Sequence, residues 1–567
     1  MLDTLPLELL NMILSNITNH RDLKQICEVC TRLWDCATPH LYRCLVFTAA
    51  EPSFAELTAA VKSIPTRYAK HIRGVELRMP IHHRACSHCG RCDEMWLVED
   101  DASVPEELLC DYFEGIDDEC TYCEIPDDDC PFVDLMHALN DLQFLDDQLR
   151  SFRWNLGQCI PNITLSSNEF SLLRKQRKIE SLIIHTDVYC DDGVGSVDLV
   201  QFPDLRSLSW KGLNKYSDFE RLKDCIRAHG NRLVSLTLDL VDWYRAKDIW
   251  TDGFRRQSDE AMPDNFLVQR IMNPEAEDEK VIMQSLEYLD LSAISFENAD
   301  IDMPVLFNTE NLRTLKLRKC IGSLKWLELV SSSGKLTELK SFELVLTNSG
   351  PINAMKAICN FIERAPKLEI LCLMLRRPIN WESLISTICR CSSLTRLVMH
   401  SLADEGNQVL GGEGMPWPSG LERLLQDKQL ACFGSSTPPG ELASQLQVLQ
   451  ARPLCKLLHI RATGEAMLNM YYLNICDSSY QPFAIDKFAE WAFSADGLPK
   501  LTVLAWGDFS HEGHYSEYNV LLCRSETGYR RLNPSDISLW DLVNDNMDML
   551  AACPFAELTD LLSDDYI

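Results

Sequence analysis

The hydrophobic positions of the chain repeat a short template, Leu-x-x-Leu-x-Leu, in which apolar and other residues alternate. Clear copies begin at Leu205 (LRSLSW), Leu233, Leu286, Leu312, Leu339, Leu368, Leu394 and Leu501, and weaker copies at Ile72, Ile179 and Cys455. Over two runs, from 179 to 233 and from 286 to 394, the starts are 26 to 29 residues apart. Such alternation predicts a strand with one buried face, and Phe219, Leu222 and Ile226 at helical spacing predict a helix after one of them. The alternative is chance recurrence in a leucine-rich α/β protein.

A different pattern occupies residues 5–47, where apolar residues recur at helical spacing. A first stripe consists of Leu9, Leu10, Ile13, Leu14 and Ile17. Pro6 suits the first turn of this helix, and Asp22 is expected to cap a second helix that carries Leu23 and Ile26. Val29, Cys30, Leu33 and Trp34 complete a predicted three-helix unit. So many apolar residues in so short a segment predict that a partner covers some of them.

A cysteine-rich and acidic segment separates the first template from a helix predicted near Leu135. Cysteines two residues apart can bind one tetrahedral zinc ion, and the candidate ligands are Cys86, Cys89, Cys92, Cys120 and Cys123. Residues 93–129 contain sixteen Asp or Glu and no Lys or Arg. The alternatives are a solvated acidic insertion with incidental thiols, or a redox dithiol.

Composition narrows the class of function. The chain has 567 residues and a formal net charge of -30, which argues against nucleic acid or an anionic membrane as the main partner. The N-terminus lacks the basic region of a secretory signal, and no apolar run is long enough to cross a membrane, so we expect a soluble intracellular protein, cytoplasmic or nuclear. Most of the 24 cysteines are then expected to be reduced thiols in the core.

The segment LPLELLNMILSNITNHRDLKQICEVCTRLWDCATPHLYRCLVF resembles the F-box motif, and the repeats resemble leucine-rich repeats. The chain is thus similar to fungal-type F-box proteins with leucine-rich repeats. The resemblance implies a substrate-recognition subunit of an SCF-type (Skp–cullin–F-box) E3 ubiquitin ligase, acting in ubiquitin-dependent protein degradation. It implies a Skp-type adaptor, and a cullin ligase beyond it, as partners. The adaptor-facing candidates are Leu5, Pro6, Leu9, Ile13, Leu23, Val29, Cys30 and Trp34. The alternative is an interaction scaffold without a ligase role.

The expected fold class is therefore α/β, with an N-terminal three-helix F-box and a curved leucine-rich-repeat solenoid. The expected segments are an F-box over 1–47, the start of the solenoid over 48–81, a Cys-rich acidic insertion over 82–133, the solenoid over 134–555 with loop insertions near 241–280 and 403–445, and an acidic tail over 556–567.

Target recognition is assigned to side chains that alternate outward on the repeat strands. The candidates are Tyr288, Asp290, Ser292, Thr314, Lys316, Arg318, Arg396, Val398 and His400. No catalytic motif is found: His511 and His514 lack the spacing of His-Glu-x-x-His, and the glycine-rich segments lack a phosphate-binding or nucleophile signature. We therefore expect a non-catalytic protein whose only cofactor would be structural zinc.

Overall fold

The computed structural model describes residues 5–17, 19–49, 54–79, 131–156, 172–186, 198–213, 216–240, 272, 282–296, 306–333, 336–346, 354–376, 379–402, 418–449, 453–461, 483–510 and 519–554. Among these residues a first compact unit ends at Leu233 and a second begins at Val234. Each unit is mixed α/β, with a sheet whose parallel strands follow one another in chain order. The predicted α/β class with stacked parallel strands is confirmed.

The first unit begins with three helices and continues with five parallel strands. Its elements are α1 (Leu7–Ser15), α2 (His20–Cys27), α3 (Thr31–Leu41), β1 (Cys44–Thr48), α4 (Phe54–Lys62), β2 (Gly74–Arg78), α5 (Pro131–Asp141), β3 (Ser151–Asn155), β4 (Ser181–His185), β5 (Ser207–Leu213) and α6 (Tyr216–His229). Short 3₁₀ turns span Thr66–His71, Leu173–Lys175, Leu199–Gln201 and Gly230–Arg232.

The second unit adds nine parallel strands and an antiparallel pair. Its elements are β6 (Ser235–Leu240), β7 (Tyr288–Ser292), β8 (Thr314–Arg318), α7 (Ser323–Ser333), β9 (Ser341–Leu346), α8 (Ala354–Glu363), β10 (Ile370–Arg376), α9 (Trp381–Arg390), β11 (Arg396–Leu402), α10 (Leu421–Asp427), β12 (Cys432–Ser435), α11 (Pro439–Gln447), β13 (Leu457–Ile460), α12 (Phe483–Ala492), β14 (Val503–Trp506), β15 (Val520–Ser525), β16 (Gly528–Arg531), α13 (Ile537–Asn544) and α14 (Met547–Leu550). Strands β15 and β16 run antiparallel after β14.

Every sequence template coincides with a strand, and each strand begins two residues after the first residue of its template, as β8 does after Leu312. The second and third template positions are buried and face the helices. Phe342 of β9, for example, packs on Phe361 of α8 with ring centroids 4.6 Å apart. The predicted helix with Phe219, Leu222 and Ile226 is confirmed as α6, and all three side chains are buried.

Two expectations need correction. The loop predicted near 403–445 does not extend over residues 421–447, which contain α10, β12 and α11. In β12 Phe433 stands where the template has a leucine. Asp22 does not cap α2; the cap is Asn19, whose side chain accepts a hydrogen bond from the Arg21 amide, and Asp22 lies in the first turn. Within the part of the chain that the structure describes, no helix is long and apolar enough to cross a bilayer.

Candidate functional site

The three N-terminal helices share a small apolar core of their own. It consists of Leu10, Leu14, Leu23, Cys27, Leu33, Cys36 and Ala37. Leu10 and Leu14 lie four residues apart on α1, which places them on one face of the helix. Leu23, predicted to face an adaptor, belongs to this core and is not available to a partner in this conformation.

A second group of apolar side chains on the same helices points away from that core. Leu7, Leu9, Met12 and Ile13 on α1, Val29 before α3, and Trp34 on α3 each expose between 40% and 70% of their surface. Of the predicted adaptor-facing residues, Leu9, Ile13, Val29 and Trp34 are thus exposed.

The remaining predicted adaptor residues lie at the border of this group. Pro6 is exposed, whereas Leu5 and Cys30 are half-buried against the core. The Leu5 carbonyl accepts a hydrogen bond of 2.6 Å from the Arg32 guanidinium, which connects the start of α1 to α3.

Two exposed residues of α1, Leu7 and Met12, were not predicted from the sequence, although Leu9, Met12 and Ile13 share one helix face by their spacing. We call Leu7, Leu9, Met12, Ile13, Val29 and Trp34 the exposed apolar group.

The strand face opposite the helices is the second candidate surface, and in the second unit it is largely closed. Of the predicted target-binding residues, Asp290, Ser292, Val398 and His400 are buried, and Tyr288, Thr314, Lys316, Arg318 and Arg396 are half-buried. This corrects the expectation that alternation along these strands leaves the side chains open to a partner.

Over β9–β14 the chain itself closes this face. Val543, Met549, Leu550, Ala552 and Cys553 pack into one apolar cluster with Cys372, Met374 and Val398 of the strands. We call residues 537–554 the C-terminal cover.

Polar contacts hold the C-terminal cover on the strands. The Cys553 amide donates to Glu343 Oε1 at 2.8 Å, and the Arg461 guanidinium donates to the carbonyl of Ala552 at 3.0 Å and to that of Cys553. Arg396 also lies 3.6 Å from the carboxylate of Asp548. These contacts join the C-terminal cover to β9, to β11 and to the residue that follows β13.

A buried charge cluster lies beside the cover. Arg318 donates to both carboxylate oxygens of Glu343, at 2.6 and 3.0 Å, and Lys316 Nζ lies 3.7 Å from the same carboxylate. Burial alone would raise the pKa of Glu343, but the charges of Arg318 and Lys316 outweigh it and lower the pKa to about 2. The predicted recognition residues Lys316 and Arg318 therefore already have an internal counter-ion.

A second polar cluster contains two buried histidines. His459 donates from Nε2 to the Gly507 carbonyl at 2.9 Å, and Arg461 pairs with Asp508 at 2.7 Å. Burial, reinforced by the Arg461 charge, lowers the pKa of His459 to about 4, and burial lowers the pKa of His400 well below its usual value. Both rings are therefore neutral at pH 7, and His400 has no hydrogen-bond partner among the described residues.

In the first unit the opposite face is more open. Glu76 of β2 is buried, and its carboxylate accepts hydrogen bonds from Arg78 Nε and, at 3.2 Å, from Arg153 Nη1 of β3. The two arginine side chains are 49% and 41% exposed, while that of Glu76 is 6% exposed. One buried carboxylate thus holds two guanidiniums that remain accessible to solvent.

The predicted zinc ligands Cys86, Cys89, Cys92, Cys120 and Cys123 lie outside the described residues. Within the described ranges no group of three or more His, Cys, Asp or Glu side chains is placed to hold a metal ion. The thiolates of two Cys-x-x-Cys pairs suit tetrahedral zinc, so the prediction stands on the sequence alone. Comparison with protein-family models and with curated proteins finds no match to the chain.

Proposed function

We propose that this chain is the substrate-recognition subunit of an SCF-type E3 ubiquitin ligase. In this proposal α1–α3 form an F-box that binds a Skp-type adaptor, and the strand–helix repeats form a leucine-rich-repeat solenoid that binds the target. The observation that carries the proposal is the exposed apolar group, which lies on α1, before α3 and on α3, in a three-helix unit whose core is formed by other residues.

The energetics favour a partner for this group. Fully burying one large apolar side chain stabilises a complex by about 1.5 to 3 kcal/mol relative to leaving it in water. Six large apolar side chains of this small unit stay exposed although its core is formed by other residues. A concentration of exposed apolar surface marks an interaction site. The acidic character of the chain does not oppose an apolar contact of this kind.

The function is to bring two proteins together. The adaptor would connect residues 1–47 to a cullin ligase while the repeats hold a target lysine near the conjugating enzyme. Ubiquitination would then be accelerated by proximity, without a catalytic residue from this chain. A structural zinc ion held by the cysteines of residues 82–133 belongs to the same proposal, and metal analysis of the purified chain tests it.

The test is co-expression of the full chain with a Skp-type adaptor, followed by size-exclusion chromatography. The double variant Leu9→Asp and Ile13→Asp should lose the adaptor, because both substitutions place a carboxylate in the apolar contact. The matched control, Leu145→Asp with Val448→Asp, changes two side chains that are 67% and 75% exposed elsewhere, and it should retain the adaptor.

The outcomes separate the functions. A stoichiometric complex that is lost only in the α1 variant supports the F-box assignment, and recovery of a cullin in that complex supports the ligase role. A complex without cullin would favour the non-ligase scaffold. A folded chain that does not co-purify with the adaptor would refute the proposal.

A further inference from the structure

A target protein can bind only to a surface that no other part of the chain covers. In the second unit the opposite face of β9–β13 is packed under the C-terminal cover, and the predicted recognition residues Lys316 and Arg318 are paired with Glu343. In the first unit the strand face of β2–β5 carries half-buried polar side chains, including Ser181 and Ser209, and the side chain of Arg153 there is 41% exposed, against 15% for Lys316 and 16% for Arg318. Among the described residues, the face of β2–β5 is therefore accessible where that of β9–β13 is covered.

Two arginines of that face, Arg78 and Arg153, form a pair around one carboxylate. The Glu76 carboxylate binds Arg78 and Arg153 at once, so two positive charges meet one negative charge and a formal charge of +1 remains. A guanidinium has five N–H donors in a rigid plane, and the contact with Glu76 uses only some of them. Because Glu76 already restricts both side chains, binding an anion there requires little additional ordering.

A row of further arginines lies just before the same strands. Equivalent positions before these strands are occupied by Arg43, Arg73, Arg150 and Arg206. The Arg73 amide donates to the Arg43 carbonyl, and the Arg150 amide donates to the Arg73 carbonyl. Glu180 continues the row, because its amide donates to the Arg150 carbonyl and its carbonyl accepts from the Arg206 amide. Glu180 is the one acidic residue in this row of five and lies 3.5 Å from Arg150. The five residues of the row therefore carry a formal charge of +3, in a chain of net charge -30.

Small side chains separate the row from the pair. Cys44, Gly74, Ser151, Ser181 and Ser207 are in register across β1–β5. A Cβ atom at Gly74 would lie 2.4 Å from Ser151 Oγ and 3.0 Å from Cys44 Sγ, so these two small side chains already occupy the space over Gly74.

We propose that Arg78 and Arg153, oriented by the buried carboxylate of Glu76, form the recognition site for an acidic, Asp- and Glu-rich segment of the target protein. The inference rests on the proposed function, because it names the kind of target that the repeats hold. Carboxylate side chains match the planar N–H pairs of the two guanidiniums, and the neighbouring arginine row attracts the remaining negative charge.

The test uses the full chain and a fluorescein-labelled 12-residue peptide of alternating Asp and Glu. Binding is followed by fluorescence polarisation at about 50 and 200 mM salt. Arg78→Gln with Arg153→Gln should weaken binding by about tenfold or more, since each loses a charge-assisted hydrogen bond. Arg78→Lys with Arg153→Lys keeps the charge but not the planar donors, so its loss should be intermediate. The control, Arg313→Gln with Arg390→Gln, removes two surface arginines of the second unit and should bind as the wild type does.

The outcomes are distinct from those for the ligase. Equal affinity of the Arg78 and Arg153 variants and the wild type, or no peptide binding at low salt, would overturn the inference while adaptor co-purification remains intact. A phosphoserine peptide of equal charge that binds when the carboxylate peptide does not would also overturn it. Loss of adaptor binding in the α1 variant is measured separately and tests the proposed function alone.

Discussion

Glu343→Gln tests how the C-terminal cover is held. The substitution keeps the size of the side chain but removes the charge that Arg318 and Lys316 share, at a site where the carboxylate is 2% exposed. Removing one partner of a buried ion pair destabilises a protein by about 3 to 5 kcal/mol. Here Arg318 keeps a second counter-ion, Asp290, whose carboxylate lies 3.4 Å away, so part of the charge stays compensated. The glutamine oxygen can still accept one hydrogen bond, so we expect the lower end, about 3 kcal/mol.

The matched control is Glu363→Gln, which removes the same group from a surface pair with Arg390. Exposed pairs contribute about 0 to 1 kcal/mol, so this variant should be close to the wild type. Equilibrium unfolding in urea measures the free energy of unfolding, and hydrogen exchange of the Cys553 amide reports on the cover, because that amide donates to Glu343.

The pH dependence gives a second readout of the same substitution. The pKa of Glu343 in the folded chain, about 2, is below its ordinary value, so its contribution is present above about pH 4.5 and is lost as the pH falls toward 2. The difference between wild type and Glu343→Gln should therefore shrink over that range. If Glu343→Gln and Glu363→Gln have equal unfolding free energies and equal protection of the Cys553 amide, the charge cluster does not hold the cover.

Three further predictions follow from burial and backbone geometry. Leu10→Ala should destabilise the three-helix core by about 2 to 5 kcal/mol, whereas Leu9→Ala should leave the thermal midpoint unchanged and weaken adaptor binding, as scanning calorimetry and co-purification would show. Folding lowers the pKa of His459 from 6.5 to about 4, so the stability that neutral His459 contributes is present above about pH 6.5 and is lost as the pH falls toward 4. Between pH 7.5 and 5 the unfolding free energy of the wild type should therefore fall by about 2 kcal/mol more than that of His459→Gln. An equal fall in both proteins would contradict this prediction. Gly212→Ala should destabilise the first unit by about 1 to 2 kcal/mol or more in urea unfolding, because φ is 82° and the added Cβ would lie 2.3 Å from the Thr186 carbonyl oxygen; unchanged stability would show that the backbone relaxes there.

Most of the repeat strands were predictable because one rule, alternation with leucine at fixed positions, applies to them. Strands β3 and β12 were missed because Phe152 and Trp154, or Phe433, replace the leucines while keeping the same alternation. The apolar stripe on α1 was also predictable, but which of its residues are buried in the three-helix core and which are exposed was not. Helical spacing places Leu9 and Leu10 in one apolar stripe, and only the packing of α2 and α3 decides that Leu10 is buried and Leu9 exposed.

The residues between the template leucines indicate whether the strand face opposite the helices is covered or exposed. In β10, Ile370, Cys372 and Met374 lie between the template leucines, so the strand is apolar on both sides, and strands of that kind are covered on both faces. In β3 the same positions are Ser151, Arg153 and Asn155, which suit a face in contact with water. Alternation therefore identifies which part of a repeat sheet can receive a partner, and in this chain it favours the strands that carry Arg78 and Arg153 over those that carry Val398 and His400.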